Sequence, residues 1–166
     1  VVQNLHSGFL DGWLPQRLRA KVHVFPNGTR CADNQRAAEG VERVRGRVGV
    51  NGAFVASKGC WTIARIFHRL WSTDHTRSLV WIGAGTDYET VLRWFAEQGI
   101  PQSAVIAPGM VSNEKAMRLL ATCEAALNAY DNLPSWRWNY VLKIPEFLSL
   151  GLPVITSATP GADSYI

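Results

Sequence analysis

The stretch Arg47–Phe95, RVGVNGAFVASKGCWTIARIFHRLWSTDHTRSLVWIGAGTDYETVLRWF, decides the fold, because it repeats one pattern twice. Arg47–Val50 reads as a strand, Asn51–Gly59 as a glycine-containing loop, and about Cys60–Trp71 as a helix. Ile63, Ile66, Phe67 and Leu70 of that helix share one face at helical spacing. Ser78–Ile82 is the next strand, ended by Gly83-Ala84-Gly85. Thr86 and Glu89 are then spaced as a capping box for a helix carrying Val91, Leu92 and Phe95. Strands that alternate with helices of this length belong to a parallel sheet covered on both faces, an α/β Rossmann-like arrangement.

Outward from this core the alternation continues. Towards the N-terminus, Lys21–Phe25 reads as a strand stopped by Pro26-Asn27-Gly28, and residues 29–45 as a polar loop or connecting excursion. Towards the C-terminus, Ala104–Ala107 is a strand ended by Pro108-Gly109. A helix capped by Ser112 or Asn113 runs to about Thr122, and Ala125–Ala129 is a strand. A polar and aromatic loop, Tyr130–Tyr140, leads to a helix with Pro145 in its first turn and Gly151 beyond its end. Val154–Thr156 is the last strand. Ligands of such sheets bind at the carboxyl ends of the strands, so a site is expected among loops 51–58, 83–87, 108–112, 130–143 and 157–161.

Composition bounds the function. The 166 residues are 47% apolar, enough for one packed domain. No apolar run is long enough to span a bilayer, and Val1-Val2-Gln3-Asn4 has neither a signal-peptide pattern nor a starting Met, so the chain reads as cut from something longer. Three cysteines, Cys31, Cys60 and Cys123, without a CxxC pair, argue against a disulfide framework and a zinc site, and a reducing cytoplasm is the simplest setting. Asn27-Gly28-Thr29 fits a glycosylation pattern but reads better as a turn. A net charge of +4 suits a nucleotide diphosphate or an anionic lipid surface, such as peripheral contact with the inner face of a membrane. A solvated surface with a slight excess of Lys and Arg explains it equally well, and the scattered basic residues are too few for nucleic acid.

Four features can carry chemistry. Gly83-Ala84-Gly85 opens like a dinucleotide fingerprint, but Tyr88 stands where its third glycine belongs, and tight turning before a helix accounts for the glycines. Gly52–Lys58 is not a P-loop, since Gly59 follows the lysine and no Ser or Thr does. A glycine loop and a lysine at a strand-to-helix junction nevertheless suit phosphate; a solvated lysine is the plainer alternative. Lys143 and Glu146 stand three apart at a helix start, where Glu146 can complement the helix dipole or accept hydrogen bonds from vicinal sugar hydroxyls. Trp136 and Trp138, with Arg137 between them, can stack on a sugar or base or pack on another part of the protein. His6, His23, His68 and His75 have no metal-ligand spacing.

Together the junctions resemble the C-terminal domain of GT-B glycosyltransferases of the family 4, group 1 type. KVHVFPNG (21–28) is similar to that family's strand and PNG turn, and Gly49–Gly52 with Lys58-Gly59 to its glycine loop and KG pair. SLVWIGAG (78–85), APGMV (107–111) and KIPEFLSLGLPVI (143–155) follow in family order. The resemblance implies one half of a GT-B fold, with residues 1–20 as the crossover from an N-terminal domain and 21–166 as a nucleotide-sugar-binding domain truncated at both ends. It implies that Lys58 binds the donor diphosphate, that Glu146 holds the ribose, and that Lys143 lies near phosphates or sugar. Val111 would lie near the nucleobase, and Asn51, Gly52 and Gly83 would belong to the donor site, with Lys58 and Glu146 the catalytic pair. Neither metal nor cofactor is required.

The pattern departs in two places. Asn51 and Gly52 occupy the region of a family arginine, and Trp138 stands where many members carry a second glutamate. The expected function is transfer of a hexose-type sugar from a nucleotide diphosphate to a glycan or lipid-linked acceptor held by the N-terminal domain, the isolated chain being inactive. The alternatives are a non-catalytic α/β binding module or half of a GT-B-fold epimerase or phosphorylase.

Overall fold

The computed structural model describes residues 2–3, 12, 14–25, 28–130 and 138–165. Its elements in chain order are β1 (Val2–Gln3), α1 (Gln16–Arg19), β2 (Val24–Phe25), α2 (Cys31–Ala37), β3 (Arg47–Asn51), α3 (Cys60–Thr73), β4 (Ser78–Ile82), α4 (Tyr88–Glu97), β5 (Val105–Gly109), α5 (Asn113–Ala121), β6 (Ala125–Asn128), α6 (Lys143–Ser149), β7 (Val154–Thr156) and α7 (Pro160–Asp163). Strands β3 to β7 form a five-stranded sheet in the order β5-β4-β3-β6-β7, and all its pairings are parallel. β1 and β2 form a separate parallel pair.

Alternation along the strands builds two cores. Val48, Val50, Leu79, Trp81 and Leu127 face α3 and α4, where they meet Ile63, Phe67, Val91 and Phe95. Val80, Ile82 and Ala126 point the other way, onto Met117 and Leu120 of α5 and Phe147 of α6. The two-residue period of the strands therefore produces the helix layer on each face. Gly49 leaves room for Leu120 of α5 and for Cys123 just beyond it: a Cβ there would lie 3.0 Å from both Cys123 Sγ and Leu120 Cδ2.

Several expectations are corrected. The polar excursion 29–45 contains a helix, α2, which has no apolar stripe. It is held instead by Asn34, 2% exposed, whose Nδ2 donates to Thr29 Oγ1 and to Ser149 Oγ, each at 3.0 Å. Tertiary hydrogen bonding overrides the weak local signal. The strand expected over 21–25 is limited to Val24–Phe25. The capping box does not form: Asp87 occupies the N-cap of α4, and its carboxylate turns away to another segment. Ser112 caps α5 as expected, accepting from Lys115 N–H at 3.3 Å. Pro145 sits within the first turn of α6, and Gly151 beyond it has φ +66°.

Candidate functional site

The chain leaves β3 towards β4 on one side and leaves β6 towards β7 on the other. The loops after these two neighbours therefore diverge, and a crevice opens at their carboxyl ends, the position where open α/β sheets bind ligands. A cleft of about 160 Å³ lies there. Asn51, Gly52 and Lys58 line one side, and Asn128, Tyr130 and Lys143 the other.

The first lip is built by backbone contacts. Gly52 N–H donates to Ile82 O at 2.9 Å, Phe54 N–H to Ala84 O at 3.1 Å, and Asp87 N–H to Phe54 O at 2.9 Å. The β3–β4 ladder thus continues past the strands and joins the two glycine loops. Gly83 and Gly85 make this approach possible, since a Cβ at either would fall 2.2 Å from Gly52 O or 2.1 Å from Phe54 O. Residues 56–58 form a 3₁₀ turn ending at Gly59, whose left-handed φ of 78° lets α3 start at Cys60. Lys58 is the last residue of that turn, exposed at the cleft.

The second lip carries the acid. Glu146, in the first turn of α6, accepts from Lys143 Nζ at both oxygens, 3.2 and 3.1 Å. Asn51 Nδ2 also donates to Glu146 Oε2, at 2.9 Å, across the gap between β3 and α6. A carboxylate has about four acceptor positions, so Glu146 keeps capacity for further donors. The Lys143–Glu146 pair is only part-buried, which limits its own worth to about 1 kcal/mol. Behind it, Ser149 O–H donates to Glu146 O at 2.6 Å and accepts from Asn34, tying α6 to α2. Tyr130 is held through its backbone, its N–H donating to Ser157 Oγ at 3.0 Å, and burial pushes its phenol above the usual range.

Of the residues expected from sequence, Asn51, Gly52, Lys58 and Lys143 line the cleft, and Glu146 is joined to it through its bonds with Asn51 and Lys143. Gly83 and Val111 are not among the lining residues: Gly83 packs on Gly52, and Val111 packs beside the Met117 cluster. Trp136, Arg137 and His6 lie outside the described residues, while Trp138 is half-buried. His68 stacks edge-on against Trp94 and His75 against Trp71. Among the described residues no cluster of three or more His, Cys, Asp or Glu could hold a metal ion. Sequence reasoning missed Asn128, whose place at the end of β6 could have marked it. It also missed Asp87, whose side-chain contacts are all tertiary apart from that with Thr86.

No protein-family model matches the sequence, and no curated protein matches it. Solved structures do. The chain is 17% identical to Anabaena HepE, solved with UDP and glucose, at TM-score 0.70 over 100% of this chain and 46% of that one. It is 13% identical to the pneumococcal O-GlcNAc transferase GtfA, solved with UDP and GlcNAc, at TM-score 0.71 over 99% of this chain and 31% of that one. It is 14% identical to the C-terminal domain of the glycosyl transferase group 1 protein LpcC from Francisella tularensis, at TM-score 0.62 over 86% of this chain and 71% of that one. The chain thus spans less than half the length of HepE and GtfA. At these identities the likeness establishes architecture, and the chain has the Rossmann-like fold of one half of a GT-B glycosyltransferase.

Proposed function

We propose that this chain is the donor-binding part of a glycosyltransferase that moves a hexose-type sugar from a nucleotide diphosphate to a glycan or lipid-linked acceptor. One observation carries the reading: Lys58 and Lys143 line opposite sides of one cleft at the topological switch point, and Glu146 is bonded to Lys143 and Asn51 of that lining. The neighbours HepE and GtfA were solved with UDP and a sugar, in the fold that this chain shares.

Lys58 would face the diphosphate as a full positive charge at the start of α3. As the bond to the sugar breaks, negative charge grows on the leaving diphosphate, and fixed positive charge at that point lowers the barrier. Glu146 would accept from the ribose hydroxyls, with Lys143 beside it near the phosphates or sugar and Asn51 and Gly52 lining the approach. Val111 would lie towards the nucleobase. Gly83 would act by letting the two glycine loops close on each other. This assignment calls on no metal or cofactor. The acceptor would be held by an N-terminal domain, in a cytoplasmic enzyme touching the inner face of a membrane peripherally.

Titration with UDP, GDP and dTDP tests the reading. Binding of at least one is expected, and silence from all three at millimolar concentration in a folded sample would refute it. Glu146→Gln should lower nucleotide affinity about ten-fold or more, the worth of a charged hydrogen bond. A Glu146 that served only the helix dipole would cost about 0.3–1 kcal/mol of stability and leave affinity alone.

A further inference from the structure

Asp87 lies outside the cleft, yet each of its carboxylate oxygens reaches into the segment that carries Lys58. Oδ2 accepts from Ala56 N–H at 3.1 Å, the first donor of the 3₁₀ turn. Oδ1 accepts from Trp61 Nε1 at 3.3 Å, in the first turn of α3. Thr86 O–H donates to Oδ2 at 3.0 Å and orients the carboxylate. Asp87 N–H donates in turn to Phe54 O at 2.9 Å. One side chain thus fastens the segment at its entry and at its exit, with Lys58 between the two anchors. Asp87 stands at an N-cap but makes no cap hydrogen bond, its oxygens being turned to the Lys58 segment instead.

We propose that Asp87 is a positioning residue which holds Lys58 at the place where the donor diphosphate is recognised. The role rests on the donor reading given above. A lysine is a mobile point charge on a flexible stem, so its worth to an anion depends on how firmly its backbone is placed. Three hydrogen bonds to an ionised acceptor are each stronger than their neutral equivalents. Losing the two that reach Ala56 and Trp61 loosens residues 56–58 while the β3–β4 ladder stays in place. The consequence is selective: recognition of the phosphates weakens, and recognition of the nucleoside does not.

The test compares the wild-type chain with Asp87→Ala, Asp87→Asn, Lys58→Ala and the Asp87→Ala/Lys58→Ala double variant, each titrated with UDP and with uridine. Asp87→Ala should weaken UDP about five-fold or more, close to the ten-fold effect of one lost charged hydrogen bond, and leave uridine unchanged. Asp87→Asn, which keeps one acceptor oxygen, should fall between. The double variant should bind UDP no worse than Lys58→Ala alone, because both act through the same contact. Equal loss of UDP and uridine would mean general loosening, and would overturn the proposal. So would an unchanged UDP affinity in Asp87→Ala when Lys58→Ala is impaired. Amide exchange without ligand separates this idea from the donor reading. Faster exchange at Ala56, with β3 and β4 unchanged, is expected even if UDP fails to bind. Unchanged exchange at Ala56 would overturn the clamp whatever UDP does.

Discussion

At the scale of single residues, the glycines that look like a cofactor fingerprint serve backbone packing. Gly83 has φ +147° and lies against Gly52 O, where a Cβ would stand at 2.2 Å. Gly83→Ala should therefore cost about 3 kcal/mol or more by strain and overpacking, read as a lower urea midpoint without a change of slope. Cys123 gives a pH prediction. Burial pushes its thiol from 9.0 up to about 11, against a lowering contribution from the Thr122 hydrogen bond and from Arg47 and Arg43. The folded state thus favours the neutral thiol. Stability from this group is complete below pH 9 and falls as pH rises towards 11, so urea midpoints for wild type should drop over that interval more than those for Cys123→Ala. Cys31 alone among the three thiols is exposed. What could be read at this scale were charged side chains at helix starts, such as Lys58 before α3 and Glu146 in the first turn of α6. What could not were their partners: nothing in sequence pairs Asn51 with Glu146, or Asp87 with Ala56, because those contacts exist only once β3, β4 and α6 are side by side.

At the scale of elements, apolar periodicity was a dependable guide, and polarity was not. The α3 face of Ile63, Ile66, Phe67 and Leu70 packs as its spacing requires. The α2 segment, CADNQRA, offers no such face and folds around one buried amide. Asn113 Nδ2 also donates to that side chain, to Asn34 Oδ1 at 3.4 Å, so α2, α5 and α6 meet on it. Asn34→Ala should cost about 1–3 kcal/mol, the penalty of orphaned buried partners. Because Ser149 links Asn34 to the helix that carries Glu146, the same variant should also weaken nucleotide binding slightly, seen as a smaller ligand-induced rise in melting temperature. An unchanged ligand-induced shift, with only the baseline melt lowered, would show that the junction supports the fold alone.

At the scale of the molecule, the alternation of strands and glycine turns was enough to place every strand of the main sheet, and the strand order then fixes which loops can share a ligand. A larger cavity, about 450 Å³, lies at the far edge of the sheet between α4 and β5, lined by Tyr88, Leu92, Ile100 and Val105 among others. It is remote from the switch point, and the Tyr88 hydroxyl is already committed to Ala107 O. Saturation with UDP should therefore slow amide exchange in residues 51–59 and 141–146 and leave 88–105 unaffected. The reverse pattern would move the ligand site to the sheet edge. With donor and a simple acceptor alone the chain should turn over no sugar, a result that robust transfer in a radiolabel assay would contradict.

The seam between β3 and β6 has a bearing on time. Val48 meets Ala125 only after two helix-and-strand units and a third helix, α5, have been laid down between them, so its closure carries the larger loop entropy, while β3–β4 pairing is comparatively local. Both lips of the cleft hang from that late seam. Pulse-labelled refolding should show β4 gaining protection before β6. In a chain emerging from the ribosome, most of the sheet would exist before there was any place for a nucleotide to bind, so a bound nucleotide would report that folding is complete.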